Sequence, residues 1–195
     1  MRRAVFLLLV AIAMAGTAIA ADRLPFTVDV QMHLGAEPGS ESLREALERE
    51  VLTELNARGC FRDFRPAADP EERPPAPLLL ELTIAGVVEE TRYEQSQAER
   101  MNPTDAVGTA LGYVEVVEAT IGVRLAVTSA STTLRQDAFR RTVARRPMTM
   151  TENARERARE DFAREIARRA RAFACKGSEA RLEREIRSLL EAAQR

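Results

Sequence analysis

The chain has 195 residues, enough for one globular domain. Hydrophobic residues make up 45% and charged residues 30% of it, which excludes a collagen-like, low-complexity or wholly disordered chain. The formal net charge of −1 argues against nucleic acid as a partner, because affinity for nucleic acid comes largely from positive surface charge.

The N-terminus has the pattern of a secretory signal peptide. Two arginines precede an apolar segment over residues 4–15, which is shorter than the ~20 residues of a membrane-spanning helix. The small-x-small sequence at residues 18–20 predicts cleavage before Ala21. We therefore expect residues 1–20 to be removed and the mature protein to be exported, to the periplasm in a bacterium with two membranes. An uncleaved membrane anchor is the alternative.

The first half of the mature chain predicts a strand, a helix and a long second strand. Apolar and polar residues alternate over 26–34, and apolar residues recur at helical spacing over 41–58. The proline-rich segment 61–77 predicts a surface linker, because proline interrupts regular elements. Alternation returns over 78–95, where Gly86 stands at a change of phase and predicts a β-bulge.

The second half predicts two more strands and two helices. Alternation is clearest over 117–128, and a shorter strand is predicted over 134–145. Apolar steps of three and four residues predict a long amphipathic helix over 154–175, and a C-terminal amphipathic helix follows within 178–195. Residues 21–177 are thus expected to form one α+β domain. Its predicted core is a four-stranded, mostly antiparallel sheet in the order β-α-β-β-β-α, with two helices on one face.

Cys60 and Cys175 are the two cysteines of the chain. An even number of cysteines in an exported protein favours a disulfide, and two buried free thiols or a redox pair are the alternatives. In the predicted topology both long helices run in the same direction on one sheet face. Each cysteine then lies at the C-terminal end of a helix, at the same end of the domain, where a disulfide is sterically feasible.

This element order behind a signal peptide resembles small α+β modules of bacterial envelope proteins. The N-terminal domain of the translocation protein TolB and the core domain of curli-secretion-type lipoproteins are the most similar in order. The resemblance covers residues 26–175 and includes the strand over 119–128, a small polar turn and the charged strand over 134–145. It implies a place in an envelope assembly and transfers no functional residue. The chain has no cysteine at the cleavage point, so a lipid anchor is not expected.

Our leading prediction is an exported, non-enzymatic adaptor that binds a protein of the cell envelope. The contact surfaces that we predict are the glycine-interrupted segment 96–112, the outer face of the strands and the C-terminal helix. The residues assigned to partner contact, in or directly beside these surfaces, are Val107, Leu111, Tyr113, Leu182, Ile186 and Leu189. Folding of the segment 96–112 onto the core, or its peripheral contact with a membrane, is an alternative, as is packing of the helix onto the domain.

A small-molecule or lipid carrier is the second prediction, with a cavity between sheet and helices lined by Leu80, Ile121, Val123 and Phe162. An enzyme would have to rely on the single histidine, His33, serving a serine, and no spacing indicates such a pair. We predict no enzymatic activity, no metal site and no cofactor. The pattern predicts neither a monomer nor a homo-oligomer.

The strand over 134–145 is rich in arginine along its polar positions. One interpretation is a charged edge that prevents strands of different molecules from pairing, and the other is a patch for an anionic partner. The arginines concerned are Arg135, Arg140, Arg141, Arg145 and Arg146.

Overall fold

The structure is a computed structural model, and it describes residues 23–35, 40–94, 112–129, 131–146 and 153–193. This part of the chain forms five strands and three helices. Their bounds are β1 (Leu24–Leu34), α1 (Ser40–Arg58), β2 (Phe61–Pro66), β3 (Leu78–Glu94), β4 (Gly112–Val127), β5 (Thr132–Arg145), α2 (Ala154–Ala174) and α3 (Glu179–Ala193). The predicted α+β class is confirmed.

The sheet has five strands in the order β2-β1-β3-β4-β5. β1 is parallel to both β2 and β3, whereas β3 pairs antiparallel with β4, and β4 with β5. The prediction of four mostly antiparallel strands was therefore wrong in two respects, the number of strands and the share of parallel pairing. Half of the neighbouring pairs are parallel because β1 lies between two strands that run in its own direction.

The additional strand, β2, lies inside the segment that we predicted as a linker. Phe61 and Phe64 are buried, and their rings meet edge to face with centroids 5.6 Å apart. Pro66, which has no backbone N–H, is the last residue of β2, so the other residues of the strand keep their backbone donors. An edge strand also tolerates proline better than a central one does.

The helices α1 and α2 pack side by side on one face of the sheet. Asn153 caps α2, because its side-chain oxygen accepts a hydrogen bond from the backbone N–H of Glu156 at 3.2 Å. Apolar residues of both helices and of four strands form one continuous core. The four residues predicted to line a carrier cavity belong to that core and are at most 1% exposed: Leu80, Ile121, Val123 and Phe162. The space between sheet and helices is filled at these positions, so the predicted cavity is not formed there.

The disulfide joins Cys60 to Cys175, with the two Cα atoms 5.6 Å apart. Cys60 follows the end of α1, and Cys175 is the C-cap residue of α2. The backbone N–H of Cys60 also donates a hydrogen bond to Sγ of Cys175 at 3.0 Å. The two helix ends thus meet at one end of the domain, as the predicted topology requires.

Asp29 is a buried carboxylate on the sheet face opposite the helices. It accepts a hydrogen bond from Nε of Arg65 at 2.7 Å and one from the backbone N–H of Ala76 at 2.6 Å. Asp29 therefore ties both β2 and the end of the chain segment that follows β2 to β1.

Replacement of Asp29 by alanine should lower the free energy of unfolding by about 2 kcal/mol, because it leaves a buried donor and a guanidinium without their acceptor. Equilibrium urea denaturation measures this change. Asp63→Ala is the matched control, since Asp63 is exposed on the edge strand β2 and should change stability by less than about 0.5 kcal/mol. Equal effects of the two substitutions would contradict the anchoring role of Asp29.

Candidate functional site

The structure places the predicted contact residues in different environments. Leu182 and Ile186 of α3 are 2% and 0% exposed and belong to the core, and Leu189 is partly buried against it. The expectation that Leu182 and Ile186 are available to a partner was therefore wrong, because both side chains pack into the core, whereas partner contact through Leu189 stays a prediction. Tyr113 is half-buried on β4, and Val107 and Leu111 lie outside the described residues.

The arginines of β5 are mostly matched by acids. Arg140 is paired with Glu118 of β4, Arg141 with Glu165 of α2, and Arg145 with Asp161 of α2. These pairs account for three of the five arginines in the predicted patch, so the patch does not present a continuous cationic surface along the strand.

Two neighbouring side chains lower the pKa of the Glu118 carboxyl. The hydroxyl of Thr142 donates a hydrogen bond to its carboxylate at 2.8 Å, and Arg140 donates to the same group. Both interactions lower the pKa of Glu118. A lowered pKa in the folded state means that this contribution to stability is present at neutral pH and is lost as the pH falls through that pKa. Arg140 therefore has an ionised carboxylate as its partner at neutral pH.

A groove of about 830 Å³ opens between the start of β5, the end of α2 and the first turns of α3. Gly177 and Ser178 lie between α2 and α3 and line the groove. Gly177 has φ of 101°, a conformation that glycine adopts without strain, and this turn directs α3 away from the axis of α2. The charged residues lining the groove are Arg135, Arg169, Lys176, Arg181, Asp137 and Glu185.

Two of the groove's cations are held in place by α2 and β5. An Nη atom of Arg135 donates to the backbone oxygen of Phe173 at 3.4 Å. The guanidinium of Arg169 stacks 4.9 Å above the centroid of the Phe139 ring and lies 3.6 Å from a carboxylate oxygen of Glu165. These contacts fix the positions of two positive charges at the groove, one of them over the ring of Phe139.

The other two cations, Lys176 and Arg181, are exposed. Within the described part of the chain, neither side chain forms an ion pair with an acid. Four cations against two acids leave the groove with an excess of positive charge. A charged ligand that reached this groove would have to be an anion to gain from that excess.

The sequence pattern did not predict this groove. Arg135 alone was singled out, as part of a strand edge, whereas Arg169, Lys176 and Arg181 come from two helices and the turn between them. One signal was available, since Lys176 is the single lysine of a chain whose other basic residues are arginines. It stands beside the glycine that ends α2, but its spatial neighbours follow only from the packing of α3.

The described residues hold no group of three or more histidine, cysteine, aspartate or glutamate side chains that could bind a metal ion. His33 is exposed on β1, where it pairs with Thr83 of β3. It lies on the sheet face opposite the helices. The structure therefore does not bring this histidine to the groove.

No family model matches the chain, and no curated protein matches it. Several solved structures are similar in arrangement. A minor lipoprotein from Acinetobacter baumannii shares 15% identity, with 74% of this chain and 92% of that one covered at a TM-score of 0.45. An uncharacterised lipoprotein B from Nitrosomonas europaea shares 17%, with 80% and 89% covered at 0.42. The PelC dodecamer from Paraburkholderia phytofirmans shares 14%, with 78% and 89% covered at 0.39.

These three structures come from bacterial proteins, two of which are described as lipoproteins. The matches do not show the resemblance to TolB, which stays a prediction. None of the helices in the described segments combines the length and the apolar composition needed to cross a membrane.

Proposed function

We propose that the chain is an exported, non-enzymatic binding protein of the periplasm that works in a cell-envelope assembly. Its groove binds an anionic part of a partner protein. The observation that carries this proposal is the pair of unmatched cations, Lys176 and Arg181, beside the positioned guanidiniums of Arg135 and Arg169. Export is supported by the N-terminal sequence pattern and by the disulfide, a bond typical of oxidising compartments.

A rigid frame holds the groove in shape. The disulfide fixes the end of α2 to the end of α1, next to the turn that starts α3. Leu182 and Ile186 anchor α3 in the core on the other side. A preformed site loses little conformational entropy when it binds, and so more of the contact energy appears as affinity.

An anionic small molecule or lipid is the second candidate ligand. The groove volume of about 830 Å³ falls within the range of about 300–1,000 Å³ that is usual for small-molecule sites. The rings of Phe139 and Phe173 would supply apolar contact area beside the cations.

Site-specific photo-crosslinking in the native envelope tests the proposal. A photoreactive residue at position 178 should capture a partner whose crosslinked segment, mapped by mass spectrometry, is acidic. The double variant Lys176→Glu, Arg181→Glu should reduce that capture by about tenfold or more, because each reversal turns an attraction into a repulsion.

The matched control is Arg168→Glu, Arg184→Glu. It reverses two exposed charges on α2 and α3, the helices on either side of the Lys176 turn, outside the groove. Equal loss of capture in both double variants would show a general charge effect and contradict the groove as the site. Absence of any crosslinked protein, together with an anionic adduct in native mass spectrometry, would favour the small-molecule alternative.

A further inference from the structure

The groove runs along the outer edge of the sheet. β5 is the last strand in the sheet order, with β4 as its neighbour. Arg135 and Asp137 pair with the core residues Leu125 and Val123 and therefore point to the helix side. Gln136, between them, points to the opposite face, yet all three line the groove. A groove bordered by residues from both faces of a terminal strand lies at the edge of that strand.

A backbone donor of β5 faces this groove. The N–H of Ala138 donates a hydrogen bond to Oδ1 of Asp137 at 2.8 Å, and so it is directed away from β4. In antiparallel pairs, alternate residues direct their N–H and C=O groups toward the neighbouring strand and away from it. Gln136 and Ala138 therefore share the outward orientation, and both present backbone groups for pairing at the edge.

The carboxylate of Asp137 accepts the hydrogen bond of the Ala138 N–H, which is the donor that an added strand would need. Charged side chains at sheet edges commonly prevent unwanted pairing in this way. A suitable partner strand would have to displace the carboxylate from the Ala138 N–H. The cations across the groove attract the side chains of an acidic partner, and this attraction would offset the free-energy cost of displacing the carboxylate.

We propose, on the basis of the binding function proposed above, that an extended acidic segment of the partner protein pairs with β5 as a sixth strand. Neighbouring strands lie about 4.8 Å apart, and alternate side chains of the added strand would point to the helix side of the sheet. There they meet the positive charges of Lys176 and Arg181. Recognition thus combines backbone hydrogen bonds, which give affinity, with charge at every second position, which gives specificity.

A second copy of this chain fits the edge less well. Its own β5 carries one aspartate and no glutamate within residues 132–145, so it offers little negative charge to the cations of the groove. An acidic strand opposite those cations gains from the attraction between opposite charges. Charge complementarity therefore selects an acidic strand from another protein.

The test uses the full mature protein and an array of fluorescent heptapeptides with glutamate at alternate positions and varied residues between them. Binding is measured by fluorescence anisotropy, with lysine in place of glutamate as the control array. We expect acidic peptides to bind and lysine peptides not to bind. Asp137→Ala should tighten binding several-fold, because the edge donor no longer has a competing acceptor.

Two proline variants separate strand pairing from charge attraction. Ala138→Pro removes the edge donor without touching the bonds to β4, since edge strands tolerate proline where the N–H faces outward. It should weaken binding by about tenfold, the effect of losing a well-formed hydrogen bond and its geometry. Ala144→Pro is the matched control. By the same alternation the backbone N–H of residue 144 also points away from β4, and this residue lies outside the groove. It should leave binding unchanged.

The outcomes distinguish this inference from the proposed function. If Ala138→Pro binds acidic peptides as the wild type does, while Lys176→Glu, Arg181→Glu does not bind them, the groove binds anions and strand addition is wrong. If no acidic peptide binds but the groove still captures an envelope protein, strand addition is again wrong and the binding function stands. Concentration-dependent dimers that disappear in Ala138→Pro would identify a second copy as the occupant and overturn the proposal.

Discussion

Replacing Cys60 and Cys175 together by serine should lower the free energy of unfolding by about 4–5 kcal/mol. The bond joins residues that are 115 positions apart, so it restricts a large part of the unfolded chain. In the chain-entropy account this restriction raises the free energy of the unfolded state, and the effect grows with loop length. The folded state needs no rearrangement, because the ends of α1 and α2 already meet. Equilibrium urea denaturation followed by circular dichroism measures the change.

Two controls separate the bond from the side chains. The wild type in a thiol reductant should unfold at the same urea concentration as the serine variant, and the reductant should not affect that variant. The difference in unfolding free energy between the serine variant and a Cys60→Ala, Cys175→Ala variant gives the cost of placing serine hydroxyls at positions that are largely buried. Equal stability of the oxidised and reduced wild type would show that the bond does not stabilise the fold.

The disulfide also shows how far sequence reasoning reaches in this fold. Strand alternation and helix spacing predicted every element except β2, and the order of those elements implied the directions that bring Cys60 and Cys175 to one end of the sheet. The β-bulge at Gly86 was predicted in the same way, and the register of β3 with β4 shifts there, with φ of Gly86 at 63°. Such features follow from local periodicity, which is a property of short sequence segments.

β2 was missed because two local signals oppose each other in one segment. The prolines that follow Pro66 indicate a loop, whereas the two phenylalanines before it need a buried surface. The two phenylalanines are three positions apart, so the segment does not show the two-residue period of a half-buried strand. Its identity is decided by tertiary contact with β1, which supplies the parallel partner and the hydrogen-bonding edge.

The groove was missed for a different reason. Charge in a sequence does not reveal which side chains neutralise one another, and most β5 arginines find acids on β4 or α2. Lys176 and Arg181 differ because the turn at Gly177 places them beside Arg135 and Arg169 without matching acids. Pairing of this kind is a property of the packed structure and cannot be read from the spacing of residues along the chain.

The position of α3 could not be decided from its amphipathic pattern, since an apolar stripe shows that a helix is covered but not what covers it. The structure shows that the domain core covers it, through Leu182 and Ile186. Ile186→Ala should therefore lower the free energy of unfolding by about 2–5 kcal/mol, the range for shortening a fully buried aliphatic side chain. Thermal and urea denaturation both measure this loss.

Arg184→Ala is the control on the same helix, because Arg184 is exposed and should change stability by no more than about 0.5 kcal/mol. The same two variants also link the core to the groove. Loosening α3 moves Arg181 relative to β5, so Ile186→Ala should weaken the binding of acidic peptides, whereas Arg184→Ala should not. If Ile186→Ala were as stable as Arg184→Ala, α3 would not depend on the core. Its apolar stripe of Leu182, Ile186 and Leu189 would then again be a candidate contact surface for the envelope partner.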